Sequence, residues 1–190
     1  MKNHVFVTVG MIAVTTLGTA VSTALASNDE PEPARLGQAH LVDPAGESLG
    51  TVDLAEQNGR VGLAVKAHGL TAGFHGFHIH GSGQCDGSSA PSFASAGGHL
   101  SPAGGSHPGH AGDMPVLLVG DDGTAQASFT TDRVTFADLF DADGSAIIVH
   151  AGPDNYANIP TRYAPDGPDA DTLGTGDSGG RVACGVVTPR

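Results

Sequence analysis

The residues of this chain that are best suited to chemistry are its histidines, and most of them fall in one stretch. Seven of the ten histidines lie between His75 and His150. Two follow each other closely in Phe77-His78-Ile79-His80, and three more occur near Asp113 in a glycine-rich segment. Imidazole nitrogen binds copper and zinc alike, and a carboxylate can complete a tetrahedral zinc site. The sequence therefore predicts two metal sites side by side.

His78 and His80 are separated by one residue in a segment with β character. Side chains at positions i and i+2 of a strand point to the same face, so both imidazoles aim at one place. His150 ends another apolar segment and completes a set of three nitrogen donors if the two strands are neighbours. For this pattern taken alone, two histidines on a solvated strand face are the alternative. His75 has the opposite parity and is predicted to be a structural, hydrogen-bonding histidine.

A second cluster of donors follows in the glycine-rich segment. It contains His99, His107, His110 and Asp113, at successive spacings of eight, three and three residues. Nitrogen and carboxylate donors at such spacings indicate a zinc site. The alternative is a polar, flexible loop that happens to hold histidines. His40 and His68 have no such neighbours, and we expect both on the surface.

The N-terminus has the features of a secretory signal. Lys2 supplies a positive charge, an apolar stretch runs from about Val5 to Val21, and Ala24-Leu25-Ala26 fits the small-x-small rule for cleavage before Ser27. The alternative is an uncleaved membrane anchor. We expect an exported protein, in the periplasm or outside the cell. The predicted organisation is a signal peptide over 1–26, a flexible acidic linker over 27–33 and one domain over 34–190.

Cysteine usage agrees with export, and the net charge of the chain excludes two classes of partner. Cys85 and Cys184 are the only cysteines, and an oxidising compartment favours a disulfide between them. Two separate buried thiols are the alternative. Without residues 1–26 the chain has 7 Lys and Arg against 20 Asp and Glu, a net charge of −13. This balance makes nucleic acid and anionic membranes poor partners.

The elements that must position these donors are short strands. Gly- and Asp-rich turns separate eight runs with β character, and the pattern predicts an all-β, antiparallel barrel or sandwich. The runs are 38–42, 49–54, 60–67, 76–80, 116–119, 124–129, 146–150 and 181–187. The segments 81–114 and 151–180 are long and rich in Gly, Pro and Asp, which indicates functional loops. The segment 135–140 suits a helical turn or a further loop.

Taken together, five segments make the chain resemble the copper–zinc superoxide dismutases, from about Ala34 to Val187. They are Gly73–His80, Gly98–Pro102, His110–Asp113, Val149–His150 followed by Asp154, and Gly180–Val186. The resemblance implies an eight-stranded Greek-key barrel with two long functional loops. It also implies that the chain is a bacterial, exported member of that family.

The resemblance assigns a role to each candidate residue. Asp154 would hydrogen-bond one copper-ligand and one zinc-ligand histidine, which fixes their orientation. Arg181 would hold an anion beside copper, and the disulfide between Cys85 and Cys184 would attach the first long loop to the barrel. The implied copper ligands are His78, His80, His99 and His150. The implied zinc ligands are His99, which bridges the two metals, His107, His110 and Asp113.

The implied activity is dismutation of superoxide to dioxygen and hydrogen peroxide by a redox-cycling copper, with Arg181 and His99 as catalytic residues. Two other functions compete with it. A non-catalytic copper or zinc carrier would use the same ligands but has no evident need for Arg181. A metallohydrolase needs an open zinc position and a general base, and no such base is evident near His78, His80 and His150. The resemblance fits either a monomer or a homodimer.

Overall fold

The structure, a computed structural model, describes residues 34–190. The predicted signal peptide and linker, 1–26 and 27–33, lie outside the described residues. The strands are β1 Arg35–Val42, β2 Ser48–Gln57, β3 Arg60–Ala67, β4 Gly73–His75, β5 Phe77–His80, β6 Leu117–Val119, β7 Ala125–Thr131, β8 Ala146–His150 and β9 Arg181–Pro189. The α-helices are α1 Phe136–Leu139 and α2 Ala170–Thr175. Neither of these helices has the length and apolar character needed to cross a membrane.

Seven strands form one antiparallel sheet in the order β5-β8-β9-β1-β2-β3-β7. The remaining pair, β4 and β6, forms a two-stranded sheet. β4 leads into β5, and β6 precedes β7, so this pair is continuous in sequence with both edges of the large sheet. Several neighbours, such as β5 with β8 and β3 with β7, are far apart in sequence, as in a Greek key. The predicted all-β antiparallel class is confirmed.

All eight predicted runs form strands, but the described residues contain nine strands, because the region before Phe77 forms one of its own. Gly76 separates β4 from β5. Its backbone N–H donates to the carbonyl of Gly152, and its carbonyl accepts from the N–H of His150. Gly76 thus pairs with the end of β8, whereas β4 pairs with β6. The chain changes partners at this glycine.

Buried and exposed side chains alternate along the strands, as a barrel with an apolar core requires. On β3, Val61, Leu63 and Val65 are buried, and their backbones pair with both β2 and β7. The β2–β3 hairpin closes through Asn58 and Gly59, both with positive φ, as a tight two-residue turn needs. Apolar side chains from all sides of the barrel meet in one continuous core. Burial of this core provides the frame on which the long loops lie.

The two long loops are more ordered than the sequence indicated. The first contains a 3-10 turn, Ala94–Ala96, and the second contains α2, whose N-terminus is capped by the Asp169 side chain. A capping box of Thr135 and Asp138 begins α1, so the helical-turn interpretation of 135–140 is right. The missed elements are one or two turns long, too short for a 3.6-residue period to show in the sequence.

The predicted disulfide between Cys85 and Cys184 is present. It joins the first loop to β9 across a Cα–Cα distance of 5.7 Å. Cys184 is buried in a small apolar cluster with Phe93 and Ile148. The disulfide and this cluster together hold the first loop against the outer face of β8 and β9.

Candidate metal centre

β5 separates its apolar and imidazole side chains in the way that strand parity predicts. Phe77 and Ile79 lie in the barrel core, and both are fully buried. His78 and His80 project from the opposite face and are also fully buried, because the long loops cover them. The first loop approaches β5 closely enough for the backbones of His80 and His99 to form an isolated antiparallel β-bridge.

The predicted copper ligands come together in what we call the four-histidine group: His78, His80, His99 and His150. One nitrogen of each ring lies within 4.8 Å of one nitrogen of every other. β5 and β8 are neighbours, with Phe77 opposite Val149, and this pairing brings His150 to the two histidines of β5. The neighbouring-strand condition stated above is therefore met.

Each ring of the four-histidine group is held by one nitrogen, and its other nitrogen has no partner. His78 Nε2 donates to Asp154 Oδ2 at 2.7 Å, His80 Nδ1 to the Gly97 carbonyl at 2.9 Å and His150 Nδ1 to the Gly179 carbonyl at 2.9 Å. The atoms left without a partner are His78 Nδ1, His80 Nε2, His99 Nε2 and His150 Nε2. Buried polar atoms without a partner are costly. A cation that prefers nitrogen ligands, such as copper, fits these four atoms.

The predicted zinc ligands lie around one oxygen, Asp113 Oδ1, and we call them the Asp113 group: His99, His107, His110 and Asp113. The set whose donor atoms all lie within 4.8 Å of one another contains His78 in place of His110. Three Nδ1 atoms approach the single oxygen Asp113 Oδ1, at 2.6 Å from His99, 3.0 Å from His107 and 3.3 Å from His110. The Nδ1 of His107 has no hydrogen-bond partner despite this proximity. Three nitrogens and a carboxylate oxygen fit the tetrahedral coordination of zinc.

His99 belongs to both groups. Its Nδ1 donates to Asp113, and its Nε2 is one of the four unpartnered nitrogens. The ring centroid lies 4.0 Å from that of His78 and 5.3 Å from that of His110. The ring therefore presents one nitrogen to each group, which is the arrangement that a bridging ligand needs.

Asp154 connects the two groups through its two carboxylate oxygens. Oδ2 accepts from His78 Nε2 and Oδ1 from His107 Nε2, both at 2.7 Å. Gly176, at φ +62°, approaches this contact so closely that a Cβ there would lie 2.0 Å from Asp154 Oδ1. The backbone of the second loop is thus packed directly on the link between the groups.

Burial favours the neutral form of three histidines of the site, His80, His99 and His150. Burial lowers the pKa of His99 to about 4 and that of His150 to about 3, and it lowers the pKa of His80 as well. Burial would raise the pKa of Asp113, but the hydrogen bond from His99 and the nearby imidazoles hold that pKa at about 2. Neutral imidazoles and an ionised carboxylate are the forms that bind metals.

A surface cavity of about 480 Å³ gives access to the four-histidine group. His150 and Arg181 line it together with small residues of both long loops, and Arg181 is the only formally charged one among these described residues. The Arg181 guanidinium donates to the carbonyls of Phe93 and Gly97 at 2.5 and 2.6 Å. Burial lowers the pKa of this guanidinium, which stays protonated at neutral pH. The cavity therefore suits a small anion.

Among residues 34–190, the other three histidines lie where the sequence analysis expected them. His75 is buried, with Nδ1 2.6 Å from the His150 carbonyl and Nε2 2.8 Å from the Thr71 carbonyl. His40 and His68 are exposed.

Sequence reasoning missed three contributors. Gly97 supplies one carbonyl to both His80 and Arg181. Gly176 packs on the link between the groups, and Tyr156 contacts both Asp154 and His107. The only sequence signal for Tyr156 is its position two residues after Asp154.

An antiparallel β-barrel with two adjoining, buried histidine groups and one shared imidazole defines a class of dinuclear metal-binding proteins. The comparison with known families agrees, because residues 48–187 match the family described as "Copper/zinc superoxide dismutase (SODC)". The chain belongs to the copper/zinc superoxide dismutase family.

Individual relatives cover most of the chain. It is 41% identical over 186 residues to the protein named superoxide dismutase [Cu-Zn] of Mycobacterium tuberculosis. The matched region covers 90% of this chain and 78% of that protein. The corresponding protein of Mycolicibacterium paratuberculosis is 42% identical over 190 residues, spanning 92% of this chain and 84% of its own. Both relatives carry an enzyme name.

Solved structures show the same fold. A double mutant of a SOD-like protein from Bacillus subtilis is 31% identical with a TM-score of 0.64, over 80% of this chain and 98% of that one. The clock protein EA4 is 27% identical with a TM-score of 0.65, over 82% and 94% of the two chains.

Proposed function

We propose that this protein is a superoxide dismutase, which converts two superoxide anions and two protons into dioxygen and hydrogen peroxide. The observation that carries the proposal is the set of four buried, unpartnered imidazole nitrogens beside Arg181. The donor set fits copper, and the neighbouring cation suits an anionic substrate. Membership in the family supports the same conclusion.

In the proposed arrangement, His78, His80, His99 and His150 hold copper, and His99, His107, His110 and Asp113 hold zinc. Copper bound there supplies one-electron redox chemistry, and zinc supplies a fixed charge. Arg181 binds the anion at the floor of the cavity, where its guanidinium is held by two carbonyls. His99 would hold copper through Nε2, and this atom could carry a proton to the product only while it is not bound to copper. Asp154 keeps His78 and His107 in the tautomer that leaves Nδ1 free for metal.

The test is superoxide dismutation by the purified protein after loading with copper and zinc. We expect fast activity, loss of it in His80→Ala, and unchanged activity in His68→Ala, an exposed histidine that belongs to neither donor set. Copper binding without activity would instead support the carrier function. The carrier is less favoured because transport of a metal needs no anion-binding arginine in the cavity.

Zinc occupancy is a separate part of the proposal, because the segment that carries the zinc donors is short. Just Pro108 and Gly109 separate His107 from His110. All four donors of the Asp113 group are present and nearly buried, which supports a bound zinc. Elemental analysis of the active protein should give one zinc for each copper. Activity with copper and no zinc would contradict this part alone.

We further propose that the protein is exported after cleavage before Ser27, with a flexible linker over 27–33 and the domain over 34–190. The disulfide between Cys85 and Cys184 supports this location, because such bonds persist in oxidising compartments. N-terminal sequencing of the protein recovered from the periplasm or medium is the test. A mature chain that still begins at Met1 would contradict the signal peptide.

A homodimer through β4 and β6 is supported by two opposed apolar side chains. Phe74 and Leu118 pair across these strands and are 55% and 58% exposed. Their adjoining side chains form an exposed apolar patch, and contiguous patches of this kind can mark an interaction surface. Light scattering should give twice the chain mass for the wild type and a smaller mass for Phe74→Ser. A wild-type monomer at micromolar concentration would rule the dimer out.

A further inference from the structure

Tyr156 lies beside the Asp113 group without being one of its donors. It belongs to the second long loop, two residues after Asp154, whereas His107 and Asp113 belong to the first. It contacts both loops through three parts of the residue: its backbone N–H, its ring and its hydroxyl. Two of these contacts involve His107 or Asp154, which holds it, and the third is made to Val116, three residues after Asp113.

The backbone N–H of Tyr156 donates to Asp154 Oδ1 at 2.7 Å. The same oxygen accepts from His107 Nε2, also at 2.7 Å. A carboxylate oxygen that accepts two hydrogen bonds is fixed in both distance and direction. Tyr156 therefore helps to set the position of the oxygen that orients the His107 ring.

The Tyr156 ring lies nearly parallel to the His107 ring, with an interplanar angle of 12° and a centroid separation of 6.3 Å. It borders a cavity of about 370 Å³ on the outer side of the Asp113 group, which Pro108 and Asp113 also line. His107 itself is 2% exposed. The tyrosine ring thus stands between the cavity and the His107 side of the group.

The Tyr156 hydroxyl accepts a hydrogen bond of 2.9 Å from the backbone N–H of Val116. Val116 follows Asp113 by three residues and directly precedes β6. This bond connects the second loop to the segment that carries the carboxylate donor. Tyr156 consequently contacts His107 itself and the chain segment that follows Asp113.

We propose that Tyr156 is a positioning residue that keeps His107 and Asp113 in place and thereby slows the loss of zinc from the Asp113 group. The inference rests on the proposed function, because it takes zinc to be the metal of that group. Mutation of a residue that orients a metal ligand typically lowers the metal affinity by about 10- to 100-fold. Tyr156 acts here through Asp154 and the loop backbone, with no direct contact to the metal.

The experiment compares Tyr156→Phe and Tyr156→Ala with matched changes at Tyr163, the other tyrosine of the chain. Tyr163 is 73% exposed and packs under Arg162, so Tyr163→Phe and Tyr163→Ala are suitable controls. The full mature protein is loaded with copper and zinc, and zinc transfer to a chromogenic chelator is timed. A second sample carries cobalt(II) in place of zinc, and its visible absorption reports the ligand geometry.

We expect Tyr156→Ala to release zinc at least about tenfold faster than the wild type and to shift the cobalt bands. Tyr156→Phe keeps the ring and loses the hydroxyl acceptor, so we expect about a threefold faster release and nearly unchanged bands. Both Tyr163 variants should stay within twofold of the wild type. Circular dichroism and unfolding of the metal-free proteins report whether each variant is folded.

Zinc release from a folded Tyr156→Ala within twofold of the wild type would overturn the inference. If that variant does not fold, Tyr156→Phe decides, and wild-type release from it would have the same meaning. A wild type that binds neither zinc nor cobalt would overturn the zinc part of the proposed function and this inference with it. The wild-type measurement therefore separates the two failures.

Discussion

The four-histidine group and the Asp113 group differ in what holds their donors. His78, His80 and His150 stand on β5 and β8, whose paired backbones fix the direction of each side chain. His107, His110 and Asp113 all come from one loop, which is joined to β5 by side-chain contacts and by isolated backbone hydrogen bonds, such as that from the Ile79 N–H to the Gly112 carbonyl. Strand positions are determined by a hydrogen-bonded ladder, whereas loop positions depend on each local contact. We therefore expect the Asp113 group to be the more sensitive of the two to single substitutions.

The largest effect is expected from Asp154→Ala. The change leaves His78 Nε2 and His107 Nε2 buried without an acceptor, and each such atom costs about 1–3 kcal/mol. Zinc affinity should fall by about 10- to 100-fold and copper affinity by less, because β5 still holds His78. Competition with chelators measures both affinities. Equal losses for the two metals would contradict the difference between the groups.

The pH dependence of the stability of the metal-free protein tests the lowered pKa values of the buried histidines. Folding lowers the pKa of His99 to about 4 and of His150 to about 3 from an ordinary value of 6.5. The unfolded chain thus binds more protons as the pH falls from about 6.5 towards 4, and stability is lost across that window. We expect a loss of about 2 kcal/mol per histidine between pH 7.5 and pH 5.

Denaturant unfolding at several pH values measures how the free energy of unfolding changes with pH. His150→Gln should flatten this dependence, and the exposed-site variant His68→Gln should leave it unchanged. Asp113 gives a slope of the same sign at lower pH: its pKa of about 2 lies below the ordinary 3.8, so its contribution to stability is lost only as the pH falls below about 3.8. A pH-independent stability between pH 7.5 and 5 would contradict the prediction.

Gly176→Ala tests the close packing of the second loop on Asp154. The added Cβ would lie 2.0 Å from Asp154 Oδ1 and 2.6 Å from His107 Nε2, at a φ of +62° that favours glycine. We expect zinc affinity to fall by about tenfold, with copper affected less. Gly174→Ala in α2 is the control, since nothing lies within 4 Å of its Cβ. It should keep full zinc affinity and gain up to about 1 kcal/mol of helix stability.

Arg181→Gln should act on the reaction while leaving both groups intact. It removes the one formal charge among the described residues that line the cavity. We expect kcat/KM to fall by about tenfold and to become nearly independent of salt, whereas copper and zinc contents stay at wild-type values. Stopped-flow decay of superoxide at several ionic strengths is the measurement. A wild-type rate that rises with salt would show that the acidic chain, and not Arg181, dominates the field.

The two groups also differ in how far the sequence predicts them. Strand parity alone indicated that His78 and His80 share a face and that His75 does not, because a period of two residues needs no tertiary information. The spacing of His99, His107, His110 and Asp113 indicated zinc chemistry but gave no geometry. Tyr156 and Gly176 carried no signal of their own, because their contacts join residues that are distant in sequence.

The sequence by itself determined the all-β class, the eight runs that become strands and the single possible pairing of Cys85 with Cys184. These follow from composition, from alternation along the chain and from the presence of just two cysteines, whereas the metal ligands are a prediction from the resemblance to the family. Tertiary structure alone decided that β5 and β8 are neighbours, that His99 presents one nitrogen to each group, and that Gly97 holds both His80 and Arg181. Such contacts depend on how the barrel closes and how the loops cover it, and no local pattern encodes them.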